Sequence, residues 1–195
     1  MKKAVVVAAV ALSMLLALSY ISSSAAADME QKQYLLLKLG GYSPQHNDME
    51  DYSDGFNGEF YYGRYFRQHI SSELGAGYYR SNISDPSFSI KVFNILYNIK
   101  GIYRIGRVEL FAGPGVGVYF AKGYSPPSGA TTEWNTAFGY HVLAGGSFDV
   151  SKEWFLGLEG KYFWAKTKDP VIPQGGVFGT HLDGLMATAS VGYRF

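Results

Sequence analysis

VELFAGPGVGVYF, residues Val108 to Phe120, decides how the rest of the chain is read. Gly113, Gly115 and Gly117 give it the look of a phosphate-binding loop, but such a loop follows a strand and opens a helix. Here the alternation runs straight through the glycines. Val108, Leu110, Ala112, Pro114, Val116, Val118 and Phe120 are all apolar, whereas Glu109, Phe111, Gly113, Gly115, Gly117 and Tyr119 form the second set. A period of two over this length describes a β-strand with one apolar face. The glycines then fall on the opposite face, where they leave room for bulkier side chains such as Lys100 or Lys161. Pro114 cannot donate to a ladder, so a bulge is expected there.

The same period recurs along the chain. Trp134, Phe138, Tyr140, Val142, Ala144 and Phe148 oppose Asn135, Gly139, His141, Gly145 and Ser147. Trp154, Leu156, Leu158, Tyr162 and Trp164 oppose Glu159 and Lys161, and Leu185 to Phe195 alternates in the same way. Rougher alternation marks the segments around Leu37, Phe60, Leu74 and Ile95, with Leu96 out of pattern. Eight strands are expected, near 34–42, 56–66, 70–80, 90–104, 108–122, 134–148, 154–165 and 182–195. The 16 Tyr, 13 Phe and 24 Gly suit strands better than helices.

The connections decide the architecture. Residues 43–55, 81–89, 123–133 and 166–181 are long and polar or rich in Pro and Gly. Residues 67–69, 105–107 and 149–153 are short, and long and short strictly alternate. A soluble sandwich has no reason to gather its long loops at one end. An outer-membrane barrel does: long loops outside, short turns and both termini in the periplasm, and an even number of strands. Aromatic residues toward strand ends on the apolar face (Phe56, Tyr62, Trp134, Phe148, Trp154, Trp164) match membrane-interface girdles. Charges at mid-strand on the other face argue against a soluble apolar core. The expected fold is an all-β, closed, up-and-down, eight-stranded antiparallel transmembrane barrel.

The N-terminus agrees. Lys2 and Lys3 precede an uncharged apolar run, Ala4 to Leu18, and small residues lead to Ala27 before Asp28. This is the pattern of a secretory signal peptide over 1–27, with cleavage between Ala27 and Asp28 and a barrel domain over 28–195. The chain has 17 basic and 16 acidic residues. Without Lys2 and Lys3 the balance is 15 to 16, a net charge of −1, which offers no basic stripe for nucleic acid. There is no cysteine, hence no disulfide or zinc-thiolate site.

Several segments carry a family resemblance. VFNILYNIKGIYRIGRVELFAGPGVGVYF, FDVSKEWFLGLEGKYFWAK and the ending ASVGYRF, after a signal peptide, resemble the small OmpA-like outer-membrane β-barrels, members of the porin family in the broad sense. The resemblance implies integral insertion in the outer membrane of a Gram-negative bacterium, among its lipid and lipopolysaccharide. It also implies that Tyr193 and Phe195 form the terminal aromatic signal read by the barrel-assembly machinery.

The strand faces place Lys38, Glu59, Glu73, Lys100, Arg104, Glu109, Glu159, Lys161 and Arg194 in the lumen. Four acids and five bases are too balanced for an ion-selective ring, and an eight-stranded barrel is just wide enough to be filled by side chains. A structural ion-pair network is therefore expected. No carboxylate pair can be assigned to acid–base chemistry from sequence, and the H-x-S-N segment of barrel deacylases is absent. His141 and Ser147 on one strand lie about 20 Å apart at strand rise, too far for a hydrogen bond. The acidic first loop (Asp48, Glu50, Asp51, Asp54) lacks the spacing of a calcium loop, so no metal and no cofactor is expected. The fourth loop, with Val171, Ile172, Val177 and Phe178, is the better surface for an unknown extracellular ligand. The expected role is structural or interactive and non-enzymatic. The alternatives are an OmpW-like narrow channel for small hydrophobic molecules and a lipid A-modifying barrel enzyme.

Overall fold

A computed structural model describes residues 33–45, 53–82, 89–124, 134–167 and 181–195. They form eight strands: β1 (Gln33–Pro44), β2 (Gly55–Arg67), β3 (Ile70–Asn82), β4 (Ser89–Ile105), β5 (Val108–Tyr124), β6 (Asn135–Asp149), β7 (Trp154–Thr167) and β8 (Gly184–Arg194). Each pairs antiparallel with its neighbour in sequence, and β8 pairs with β1 to close the barrel. Closure leaves no open edge, which a bilayer requires because lipid offers backbone groups no partner. β8 begins two residues later than the alternation predicts. His181 makes an isolated bridge to Lys166, and Leu182 and Asp183 lie between that bridge and the strand.

The polarity is the reverse of a soluble protein's. Phe138 is 75% exposed and Leu158 68%, whereas the charged Lys38 and Lys161 are 1% and 2% exposed. An outward surface this apolar is stable only against hydrocarbon. The inward face mixes the charges with Tyr34, Tyr42, Tyr61, Tyr65, Tyr79, Tyr119, Phe155 and Phe163, all buried. Leu96, out of pattern in the sequence, points into the lumen and is 1% exposed.

The tight turns follow from local chemistry. Gly106 carries the one positive φ among the described residues, 60°, at the first position of the Gly106–Arg107 hairpin turn. A Gly-first two-residue hairpin of this kind matches the twist of the strands it joins. At the β6–β7 turn the Ser151 hydroxyl accepts hydrogen bonds from the backbone N–H groups of Glu153 and Trp154.

Two expectations for VELFAGPGVGVYF are corrected. Pro114 produces no bulge. β4 and β5 pair up to Asn98–Gly115 and resume at Gly101–Ala112 in the same register, so the ladder omits two pairs and does not slip. Gly113 explains why: a Cβ there would collide with the Ile99 carbonyl oxygen, so the bare Cα lets the β4 backbone lie close where Pro114 has no donor. The register shift falls instead in β2, between Tyr65 and Arg67. Of the three glycines only Gly113 lies against Lys100, and there against its backbone; none lies against Lys161. Gly115 faces His141 and Asn98, and Gly117 faces Leu96.

A more general use of inward glycine emerges. Tyr34 pairs directly with Gly63, Tyr61 with Gly75, and Phe155 with Gly192. In each case the ring covers the place where the glycine's Cβ would stand.

Candidate functional site

The nine charged residues expected in the lumen are divided between two clusters. Six meet at mid-barrel. Lys38 Nζ lies 2.6 Å from Glu159 and 3.8 Å from Glu73, and Lys100 Nζ lies 2.6 Å from Glu73 and 3.2 Å from Glu159. Alternating acid and base from β1, β3, β4 and β7 thus form a closed square. Beside it, Lys161 of β7 ion-pairs with Glu59 of β2, and the Tyr61 hydroxyl donates to Glu59 at 3.0 Å while accepting from Lys161 at 3.2 Å. Three lysines and three glutamates make this cluster neutral.

Aromatic and amide groups complete it. Lys38 Nζ stands 4.3 Å from the Tyr61 ring centre, and Lys100 Nζ 4.1 Å from that of Phe111. Glu73 accepts from the Tyr34 hydroxyl and from Asn98 Nδ2, both at 2.9 Å. Asn98 Oδ1 must then accept from His141 Nε2 at 2.6 Å, which places a proton on Nε2. His141 is thereby a member of the buried network, held against Gly115.

The other three predicted charges sit at the turn end of the barrel. Arg104 pairs with Glu109 at 2.7 Å, and Arg194 reaches Glu109 at 3.9 Å and Asp149 at 2.7 Å. Tyr65 donates to Glu109 at 3.3 Å, and Arg194 lies over the Phe155 ring at 4.3 Å. Asp149 was absent from the sequence-derived set because it falls at the strand–turn boundary. Its parity with Ser147 and His141 on β6 was the signal that it points inward. Adding it gives two acids and two arginines, so this cluster is neutral as well.

Between the clusters is a cavity of about 10 Å³ lined by Lys38, Glu73, Lys100, Glu109, Phe155 and Glu159. That is about the space of a single water. At the loop end the lumen is roofed by rings. Tyr42 and Tyr79 lie 4.4 Å apart, and Phe163 stacks on Tyr119 at 5.3 Å with an interplanar angle of 11°. The Tyr42 hydroxyl donates to the Leu182 carbonyl at 3.3 Å.

Of the terminal pair, Tyr193 and Phe195 both face outward, with ring centres 6.4 Å apart, and Tyr193 also meets Trp154 at 5.0 Å. Phe195 exchanges backbone hydrogen bonds with Gln33, so the last residue is tied to the first strand. Ala27 and Asp28, most of the acidic first loop and the apolar fourth-loop residues lie outside the described residues. Among the described residues no group of three His, Asp or Glu side chains is placed to hold a metal.

The family model for the outer membrane protein beta-barrel domain matches residues 13–195. The chain belongs to that family. It is a bacterial outer-membrane barrel, integral to the membrane of a Gram-negative cell. Comparison with the curated proteins gives no match. Among solved structures, Neisserial surface protein A superposes with a TM-score of 0.64 at 17% identity, covering 84% of this chain and 97% of that one. Ail, the attachment invasion locus protein of Yersinia pestis, gives 0.53 at 16%, covering 86% and 100%. OprG of Pseudomonas aeruginosa gives 0.53 at 11%, covering 85% and 97%. At these identities the likeness concerns the fold.

Proposed function

We propose that this family member is a non-enzymatic, non-conducting barrel that anchors its loops at the cell surface, where they contact a ligand or partner. In this reading residues 1–27 are a cleaved signal peptide. Both termini are periplasmic, and Tyr193 and Phe195 present the protein to the assembly machinery.

The observation that carries the reading is the filled lumen: two neutral ion-pair clusters beneath a roof of four aromatic rings. A conducting path needs either a wide lumen or a charge imbalance that attracts solute, and this arrangement supports neither. Catalysis is disfavoured by the same packing, since His141 is bonded to Asn98, the glutamates are paired with lysines and Arg104, and all are buried.

The test is electrical. The purified full chain inserted into planar lipid bilayers is expected to give no steady conductance above that of the bare membrane, and liposomes containing it are expected not to swell in small sugars. Reproducible unitary currents, or uptake of a small apolar solute into vesicles, would replace this reading with the narrow channel. Altered lipid A after overexpression would replace it with the enzyme.

A further inference from the structure

The cavity between the two clusters originates in strand register. Glu109 of β5 pairs with Ser147 of β6, Ser147 with Gly157 of β7, Gly157 with Ser190 of β8, and Ser190 with Lys38 of β1. The row lies on the inward face, so three small residues stand between Glu109 of the turn-end cluster and Lys38 of the square. At Gly63, Gly75 and Gly192 a ring covers the place of the missing Cβ. At Gly157 no ring does, and the nearest atoms belong to Ser190, Gly146 and Ser147. The space left is the cavity of about 10 Å³, lined by Ser147, Ser190 and Glu159 among others. Two of these residues carry an unbonded polar atom. Glu159 gives Oε2 to both Lys38 and Lys100, whereas its Oε1 has no hydrogen-bond partner among the described residues, nor has Ser147 Oγ. Both residues are buried, 5% and 6% exposed.

We propose that this cavity is the binding site of one internal water molecule, which donates to Glu159 Oε1, bonds to Ser147 Oγ and links the square to the wall beside the turn-end cluster. A buried carboxylate oxygen or hydroxyl left unbonded destabilises a fold, and one water relieves both. The volume is about what a single water needs, and the lining is polar, whereas cavities that stay dry are apolar. Charge decides between water and an ion. A cation would stand against Lys38 and Lys100, and an anion against Glu73, Glu109 and Glu159, all of which line the same space. A neutral molecule that both donates and accepts meets neither repulsion. The small row Ser147–Gly157–Ser190 is then a seat for solvent, in contrast to the glycines that seat rings.

Two measurements test this. The first is a crystal structure of the full chain at a resolution that shows ordered waters, from crystals grown in bromide salt. A single peak is expected within about 2.5–3.0 Å of both Glu159 Oε1 and Ser147 Oγ, without anomalous signal. An empty cavity, or a Glu159 carboxylate turned so that both oxygens bond lysine, overturns the proposal. A peak with the anomalous signal of bromide overturns it in favour of an anion. The second is urea unfolding in lipid vesicles of Ser147→Val and Ser147→Ala. Valine fills the cavity, displaces the water and strands Glu159 Oε1, so the unfolding equilibrium constant is expected to rise about tenfold. Alanine adds no bulk and takes one bond from the water, for a rise of about threefold. In a dry cavity both substitutions would remove an unbonded hydroxyl and valine would add packing, so both would stabilise the barrel. An unchanged or lowered constant in either variant therefore overturns the proposal, and Ser147→Ala decides alone if Ser147→Val does not fold.

Discussion

Lys161 on β7 and Glu59 on β2 form an ion pair although their strands are not neighbours in the barrel, and the two side chains are 2% and 0% exposed. The pair therefore ties opposite parts of the wall through the lumen and adds to what the ladder alone provides. Lys161→Met would take from Glu59 its ion-pair partner and leave the Tyr61 hydroxyl as its hydrogen-bond donor, with Lys38 opposite it on β1. The expected loss is about 3–5 kcal/mol, the usual effect of orphaning one member of a buried pair. Lys161→Met with Glu59→Leu should lose much less. Urea unfolding in lipid vesicles checks both, and equal losses in the single and double variants would mean that the pair does not act as a unit.

The Phe155–Gly192 pair predicts non-additive substitutions. Gly192→Val puts atoms where the Phe155 ring lies, and overpacking of this kind costs about 1–3 kcal/mol. Phe155→Ala empties that space and costs about 3–5 kcal/mol. Combined, the two should cost less than their sum by at least about 0.5 kcal/mol, the signature of residues in contact. Simple additivity in a double-mutant cycle would show that ring and glycine do not share the space.

Orientation can be read in whole cells. Asp54→Cys, at the loop end before β2, should react with a membrane-impermeant maleimide added outside. Lys152→Cys, in the β6–β7 turn, should react only after the outer membrane is permeabilised. The opposite pattern would invert the proposed topology.

The chain terminus predicts an assembly defect distinct from loss of stability. Deleting Phe195 removes one outward ring and the two backbone hydrogen bonds to Gln33, but none of the buried ion pairs. The truncated chain is expected to accumulate unassembled in cells yet to refold in detergent with near-normal heat-modifiable mobility. Normal assembly in cells would count against Tyr193 and Phe195 as a recognition signal.

Much of this was legible in the sequence for a physical reason. Side chains in a strand alternate with a period of two, so parity alone assigns every residue to lipid or lumen once strand limits are known. Lys38, Glu159 and Lys161 could be placed inside from parity. Their grouping could not, because which strands face each other across a barrel depends on closure and stagger, and no local pattern carries either. That is why the four-residue square and the separate turn-end cluster emerge only in the closed barrel. Asp149 was missed for a different reason, since parity is weakest where a strand passes into a turn. Pro114 misled because its missing donor was weighed without Gly113 beside it, whose bare Cα lets the neighbouring backbone close up without a slip.

The three glycine–aromatic pairs bear on how such a barrel can change over time. At Tyr34–Gly63, Tyr61–Gly75 and Phe155–Gly192, the volume filling the lumen belongs to the pair and not to either residue. A glycine there can grow only if its partner shrinks. Relatives should therefore keep a large residue and a small one at each site while being free to exchange which strand carries which. Such positions would look variable when inspected singly and constrained when inspected as couples.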